Sequence, residues 1–308
     1  MGLFNFELAV KLHSLEGFSL AQLRGAATAV ANLTFNAAKL DISHKIISMD
    51  PIFKRGYVGG LPDWKVNFKS TWIAKRFAAM LQVGDDQELR QLISLYRKSP
   101  LSNGMAGYLF EGFAHQKLAN TVRATPWPLK VMDTVYDGAD LDQPIARITT
   151  ALAPSEVILP RVKQEIQSFD DLPSNPQNGI YNCPISMNFP LFDAFIVEIK
   201  NSFAILWIFQ ITSDSHHGSH KGYRKVRDII QRLKNQMIAR SPTSLPSVEV
   251  RYVLVVPEDH DKGLRWTFPK GWNDSCTRHD HRGKVYCLEV PLSVRFTMKS
   301  GAVTYLIE

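Results

Sequence analysis

The chain of 308 residues contains few cysteines and no long apolar run. Its three cysteines, Cys183, Cys276 and Cys287, are odd in number and irregularly spaced, which argues against a disulfide framework and favours a reducing compartment. The longest apolar run, about 9 residues around 203–209, is far shorter than the roughly 18 that a membrane-spanning helix needs. We therefore expect no membrane partner. No basic segment precedes an apolar one at the N-terminus, so we expect no signal peptide.

Two nucleotide-binding signatures are also missing. The sequence has neither Gly-x4-Gly-Lys-Ser/Thr nor Gly-x-Gly-x-x-Gly, so neither of these two phosphate-binding loops is supported. Cys276, His279 and His281 are residue types that bind zinc. Their spacing fits no closed tetrahedral site and no second cysteine pair lies nearby, so a zinc site is not favoured.

The composition is that of a globular protein with its own core, at 45% hydrophobic and 21% charged residues. The net charge of +7 and the pI of about 9.2 favour an anionic partner such as nucleic acid. Charge alone leaves open a mildly basic protein without such a partner.

Residues 1–100 have a mainly helical pattern. Helices are predicted from the Ser19 cap, from Ser70 to 81 and over 86–97, with a glycine-rich loop at 54–67 and an ambiguous apolar run at 44–49. A further helix is predicted over 104–120. We place a domain boundary near residue 100, which gives a helical region over 1–100 and a second domain over 101–308.

The second domain alternates strands and helices. Strands are predicted at 145–152, 156–159, 192–197, 204–212, 248–256, 285–290 and 294–298, a helix start and loop within 163–190, and a helix over 221–240. This order predicts a mixed α/β fold: a central mixed sheet, with one helix before it and a basic helix after its third strand.

The two adjacent apolar strands carry the most informative polar residues. Asp193 lies in the first strand, where a buried carboxylate is costly unless it is paired, hydrogen-bonded or bound to metal. The second strand ends in Gln210-Ile211-Thr212. Restriction-endonuclease-type enzymes bind Mg²⁺ with acids at the ends of two such strands and usually add a lysine two residues after the second acid. Gln210 brings no charge and Thr212 cannot replace an ammonium, so three interpretations stay open: an active metal site, a degenerate site, and Asp193 as a strand cap.

Other polar residues surround this pair in sequence. Glu198 and Lys200 form a literal Glu-x-Lys match, but they follow Asp193 closely and are interpreted as solvated hairpin residues. His217 and Lys221, with the neighbouring His216 and His220, could supply the missing positive charge or a general acid or base, or could simply be exposed. The helix that follows is either a phosphate-binding surface or a solvated face, and its basic residues are Lys221, Arg224, Lys225, Arg227, Arg232, Lys234 and Arg240.

Three stretches together resemble one family. Residues 107–115 (GYLFEGFAH) are similar to a helix of the Crinkler-type and retrotransposon-hot-spot-type (RHS) effector proteins of oomycetes and fungi. Residues 192–195 and 209–212, with His217, resemble the nuclease-like core of that family. Residues 251–257, 266–269 and 282–290 resemble its C-terminal strands. The resemblance covers about residues 100–292.

The resemblance implies a nuclease-like domain of the PD-(D/E)XK (restriction-endonuclease-like) class. It implies that Glu111 on the helix and Asp193 on the strand contribute to a site for Mg²⁺ or Mn²⁺. Residues 41–100 look similar to the helical segment that closes the family's NTPase part, although the Walker motifs are missing from this chain. Proteins of the family are secreted and act inside other cells, commonly in nuclei, so the resemblance predicts that localisation.

We therefore expect a nuclease-like effector domain that acts on or binds nucleic acid, DNA above all. The alternative is a catalytically degenerate fold that binds protein or DNA, with a host protein or a second copy of the chain as partner. The predicted catalytic residues are Glu111, Asp193, Gln210, Thr212, His217 and Lys221, with Glu111, Asp193 and Gln210 binding the metal. The predicted nucleic-acid-binding residues are Lys221, Arg224, Lys225, Arg227 and Arg232.

Overall fold

The structure is a computed structural model. It describes residues 19–31, 47–52, 63–68, 71–81, 86–98, 103–119, 127–132, 135–137, 140–144, 157–158, 166–169, 172–184, 192–200, 203–213, 216–218, 223–242, 245–258, 265–267, 284–292, 297–299 and 302–304. The chain divides into two compact units, Met1–Phe113 with Pro291–Glu308, and Ala114–Val290. The sequence-based limits of 1–100 and 101–308 stay predictions, because compactness alone does not show which segment folds independently.

Five helices and sixteen strands lie within the described residues. The helices are α1 (Leu20–Ala31), α2 (Thr71–Leu81), α3 (Asp86–Arg97), α4 (Asn103–Ala119) and α5 (Tyr223–Arg240). The strands are β1 (Ile47–Ile52), β2 (Asp63–Phe68), β3 (Pro128–Val131), β4 (Val135–Asp137), β5 (Asp140–Pro144), β6 (Val157–Ile158), β7 (Ile166–Phe169), β8 (Tyr181–Pro184), β9 (Ala194–Lys200), β10 (Phe203–Ile211), β11 (His216–Gly218), β12 (Ser247–Pro257), β13 (Arg265–Thr267), β14 (Lys284–Val290), β15 (Thr297–Lys299) and β16 (Ala302–Thr304).

Helix α1 begins with the cap that the sequence predicts, whereas the predicted Ser70 cap of α2 lies outside the described residues. The Ser19 hydroxyl accepts a hydrogen bond from the backbone N–H of Gln22, and the Gln22 side chain accepts one from the backbone N–H of Ser19. This reciprocal pair is a capping box, which satisfies N–H groups that the first turn leaves unpaired. Helix α3 carries acids in its first turn and Arg97 in its last, as the helix dipole favours.

A buried arginine, Arg90, connects distant parts of the first unit. Only 6% of its side chain is exposed. Its Nη1 donates to the carbonyl oxygen of Pro291 at 2.9 Å, its Nη2 lies 3.8 Å from Asp86, and its guanidinium lies 5.2 Å from the ring centre of Phe113. Arg90 thereby joins helix α3 to the segment that follows β14.

The second unit is built on an eight-stranded mixed sheet in the order β6-β3-β14-β12-β10-β9-β8-β7. Strands β10, β12 and β14 are parallel, whereas β9 pairs with β10 in antiparallel orientation. Helix α5 connects β10 to β12, as a connection between parallel neighbours requires. The central strands are apolar on both faces because both faces are covered.

One face of this sheet packs against helix α5. The apolar stripe of the helix is Val226, Ile229, Ile230, Leu233 and Met237, and these side chains are buried among alternate strand residues such as Phe195, Leu206 and Tyr252. The stripe recurs every three or four residues, which is the spacing of one helix face. The sheet therefore has a face covered by α5 and an opposite face that holds the remaining strand side chains.

The mixed α/β class and the central mixed sheet are confirmed. Helix α3 begins and ends where the sequence predicts it, and the ambiguous run at 44–49 enters strand β1. Two interpretations are wrong. Part of the predicted loop at 54–67 is strand β2, and 163–190 holds strands β7 and β8 where a helix start was expected. The predicted strand at 145–152 and the residues Cys276, His279 and His281 lie outside the described residues.

Among the helices that the structure describes, none combines the length and the apolar character that crossing a bilayer requires.

Candidate functional site

Asp193 and Gln210 form a hydrogen-bonded pair where two neighbouring strands meet. Asp193 immediately precedes β9, and Gln210 is the second-last residue of β10. The antiparallel pairing of these strands aligns Ala194 with Phe209, and the backbone N–H of Asp193 continues the ladder by donating to the Phe209 carbonyl at 2.8 Å. The strand register therefore sets the two side chains opposite each other.

One carboxylate oxygen of Asp193 accepts two hydrogen bonds. The Gln210 side-chain amide donates to Oδ2 at 2.8 Å, and the backbone N–H of Ile211 donates to the same oxygen at 2.7 Å. Gln210 is 9% exposed and Asp193 is half-buried. Two N–H donors thus stabilise a partly desolvated carboxylate, which lowers the cost of burying its charge.

This arrangement differs from the ligand set that Mg²⁺ requires. A magnesium ion is held by oxygen atoms, and here the nitrogen of the Gln210 amide faces the carboxylate. In the part of the chain that the structure describes, no three His, Cys, Asp or Glu side chains gather as a metal site. The Gln210 amide thus occupies one oxygen of Asp193 as a hydrogen-bond donor, and the metal set of Glu111, Asp193 and Gln210 remains a prediction.

Cys183 and Thr212 adjoin the pair. The thiol of Cys183 donates to the backbone carbonyl of Asp193 at 3.7 Å. Thr212 is 6% exposed, and its backbone N–H donates to the carbonyl of Val255 at 3.0 Å. Thr212 therefore extends the parallel pairing of β10 and β12 by one residue beyond β10.

Asn182 is a buried amide near the site that the sequence did not single out. It lies on β8 opposite Phe195 and has no exposed surface. Its Nδ2 donates to the carbonyl oxygens of Ile180 and Phe195 at 3.0 and 3.5 Å, whereas Oδ1 accepts no hydrogen bond from the residues described. Interpreting 163–190 as a helix and loop concealed it, although Tyr181-Asn182-Cys183 shows the alternation of a short strand.

His115, on helix α4, contacts the same region of the sheet through Tyr181. Its Nδ1 lies 2.8 Å from the Tyr181 hydroxyl, and the two rings meet edge to face with centroids 5.8 Å apart. Tyr181 is fully buried and packs against Phe209. Burial lowers the pKa of His115 to about 4, so the imidazole is neutral at pH 7.

His115 should make the stability of the chain sensitive to acid. Because its pKa is about 4 when folded and about 6.5 when unfolded, its contribution is complete above pH 6.5 and is lost as the pH falls towards 4. We expect His115→Gln to remove about 2 kcal/mol of this pH dependence. Urea unfolding of parent and variant at pH 7.5, 6 and 4.5 measures it, and parallel losses in both proteins would contradict the assignment.

Helix α5 carries most of the excess positive charge of the chain. Six basic residues and one acid lie between Tyr223 and Arg240, an excess of five against a net charge of seven for the whole chain. Arg224 and Arg227 are exposed and three residues apart, so they share one face. Arg232 points elsewhere, because its Nη1 donates to the backbone carbonyl of Leu172.

Of the remaining predicted site residues, the structure describes Glu111 and His217 but not Lys221. Glu111 is half-buried on α4, and His217 lies in the short strand β11.

The hairpin interpretation of Glu198 and Lys200 is only partly right. Lys200 is exposed, but Glu198 accepts a hydrogen bond from the indole of Trp207 at 3.3 Å and pairs with Lys200 at 2.7 Å.

Comparisons with protein-family models, curated proteins and solved structures gave no match.

Proposed function

We propose that this chain is a nucleic-acid-binding domain with a restriction-endonuclease-like core, of the type found in Crinkler and RHS effectors. The observation that carries the proposal is the concentration of positive charge on α5, where Arg224 and Arg227 are exposed on one face. A row of exposed arginines neutralises backbone phosphates, and this sequence-independent contact dominates the affinity of many nucleic-acid-binding proteins.

The proposal is of binding without turnover. At Asp193 the position expected for a second acid is Gln210, whose amide satisfies the carboxylate directly. Hydrogen bonds from Gln210 and Ile211 thereby take the place of a metal ion in stabilising the charge. The Asp193–Gln210 pair then joins the start of β9 to the end of β10, and helix α5 binds the nucleic acid.

We expect Arg224→Gln/Arg227→Gln to weaken binding to a 20-base-pair DNA duplex about tenfold at 100 mM salt, because two phosphate contacts are lost. The slope of log affinity against log salt should fall by about 2. Fluorescence anisotropy over a salt series measures both quantities. The matched control is Lys130→Gln/Lys200→Gln, which removes the same charge from two exposed sheet residues. Equal weakening by both double variants would assign the binding to net charge rather than to α5.

Hydrolysis is tested on the same protein. We expect no cleavage of plasmid DNA or RNA by the parent with Mg²⁺ or Mn²⁺. Cleavage that Asp193→Asn abolishes would show that Asp193 is catalytic and would overturn binding without turnover. Cleavage that persists unchanged in Asp193→Asn would point to a contaminating nuclease.

A further inference from the structure

Arg251 lies on the sheet face opposite helix α5. It is in strand β12, whose neighbouring residues Val250 and Tyr252 belong to the core that packs against the helix. Because side chains alternate along a strand, Arg251 projects from the other face, together with Trp207 at the aligned position of β10. Its surroundings are therefore separate from the Asp193 pair and from the basic face of α5.

The guanidinium of Arg251 is held in a fixed position. Its Nε donates to Glu249 at 2.6 Å, and its central carbon lies 4.8 Å from the ring centre of Trp207. Trp207 is itself 1% exposed and donates its indole N–H to Glu198 at 3.3 Å. Stacking on an aromatic ring and one ion pair orient a planar guanidinium, so little conformational freedom remains to be lost on binding.

The terminal nitrogens of Arg251 lack a protein partner within the described residues, and 18% of the side chain is exposed. The hydroxyl of Tyr286, on the adjacent strand β14, likewise makes no hydrogen bond there. Burial raises the pKa of Tyr286, and the nearby Arg251 lowers it. Both side chains lie against Trp207, because the ring centre of Tyr286 is 6.4 Å from that of Trp207 and the Arg251 guanidinium lies over the same indole. Both present N–H or O–H donors that no described protein group uses.

The local charge limits what this pair of donors can bind. Two acids adjoin the guanidinium: Glu198 pairs with Lys200, and Glu249 pairs with Arg251. Acids at this place disfavour a polyanion, whereas a ligand with one negative charge gains charge-assisted hydrogen bonds. The two terminal nitrogens of a guanidinium lie side by side in one plane, which matches the two oxygens of a carboxylate.

We propose that Arg251 and the Tyr286 hydroxyl form a binding site for a single carboxylate. The carboxylate belongs either to a small organic acid or to an acidic side chain of another protein, and the chemistry of recognition is the same. This site is independent of nucleic-acid binding by α5, so either proposal can fail without the other.

The test is an NMR titration of the full chain with sodium acetate at constant ionic strength, followed at the Arg251 Nε–H and Trp207 indole N–H signals. We expect both signals to move and saturate, and an equal concentration of chloride to leave them unchanged. Tyr286→Phe should weaken the apparent affinity threefold to tenfold, because one hydrogen bond is lost. In Arg251→Lys, which keeps the charge but not the planar pair of donors, the Trp207 signal should stop responding.

Two further probes identify the source of the carboxylate. A blocked Gly-Glu-Gly peptide that binds at least tenfold more tightly than acetate would assign the site to a protein side chain, and equal or weaker binding would assign it to a small acid. A larger response to dimethyl phosphate than to acetate would overturn the carboxylate assignment. An acetate response that is unchanged in Arg251→Lys would overturn the site itself.

Discussion

Gln210→Glu is expected to destabilise the chain by about 3 kcal/mol at pH 7 without divalent metal. The substitution replaces an N–H donor, 2.8 Å from the Asp193 carboxylate, by a second carboxylate of nearly the same shape. Two acids at this distance cannot both be ionised at low cost, so folding must take up a proton or a cation. Urea unfolding in EDTA measures the loss.

A divalent cation should restore the stability of this variant. With two carboxylates in contact, Mn²⁺ or Mg²⁺ finds oxygen ligands that the parent does not offer, and an ion that binds the folded state alone stabilises it. Lowering the pH to 5 should also recover part of the loss, since one of the two acids then binds a proton. Gln210→Met is the matched control, because it removes the amide donor without adding charge and should not respond to metal. A Gln210→Glu protein that is as stable as the parent in EDTA would contradict this account of Gln210.

Arg90→Ala is expected to lower the free energy of unfolding by about 3 kcal/mol. The substitution removes the hydrogen bond from Nη1 to Pro291, leaves a cavity beside Phe113 and ends the weak interaction with Asp86. Hydrogen bonds that involve a charged donor are worth more than neutral ones, and the lost contact with the ring adds to the cost. Denaturant unfolding measures the change.

Two variants calibrate the Arg90 result. Arg90→Met should recover the packing part of the loss, so its remaining deficit reports the polar contacts of the guanidinium, which include the hydrogen bond to Pro291. Gln91→Ala, at the exposed neighbouring position, should change stability by less than about 0.5 kcal/mol. An Arg90→Ala protein within that range would show that the segment after β14 is held by other contacts.

The long helices and apolar strands were predictable because their patterns are local. Helix α3 repeats apolar residues at helical spacing, and strand β12 is a near-continuous apolar run. Strand β8, with the sequence YNCP, is too short for its alternation alone to predict a strand, and it is a strand because it pairs with β9. Strand β2 alternates Trp64, Val66 and Phe68, but the nearby glycines and proline obscured it.

The site was predictable in outline and not in detail. Asp193 and Gln210 were expected to cluster because they lie at the ends of adjacent strands, and the register brings them together. Nothing in the sequence shows which end of the Gln210 amide faces the carboxylate, and that orientation separates a hydrogen-bonded pair from a cation site. The roles of Arg90 and Arg251 could not be predicted, because the residues that surround them are far away in the sequence or on other strands.

The position of β10 in the middle of the sheet determines how rigid the Asp193 pair is. On one edge β12 pairs with β10 as far as Ile211, and on the other β9 pairs with it as far as Phe209, where Asp193 continues the bonding to the Phe209 carbonyl and the Ile211 N–H. Amide protons in such a strand exchange with solvent mainly through global unfolding, not through local opening. The backbone N–H of Ile211 therefore stays in place on the timescale of ligand binding, and the Gln210 side-chain amide extends from the same segment. A cation that replaces these donors at Asp193 must fit that geometry, because the strand cannot adjust to it.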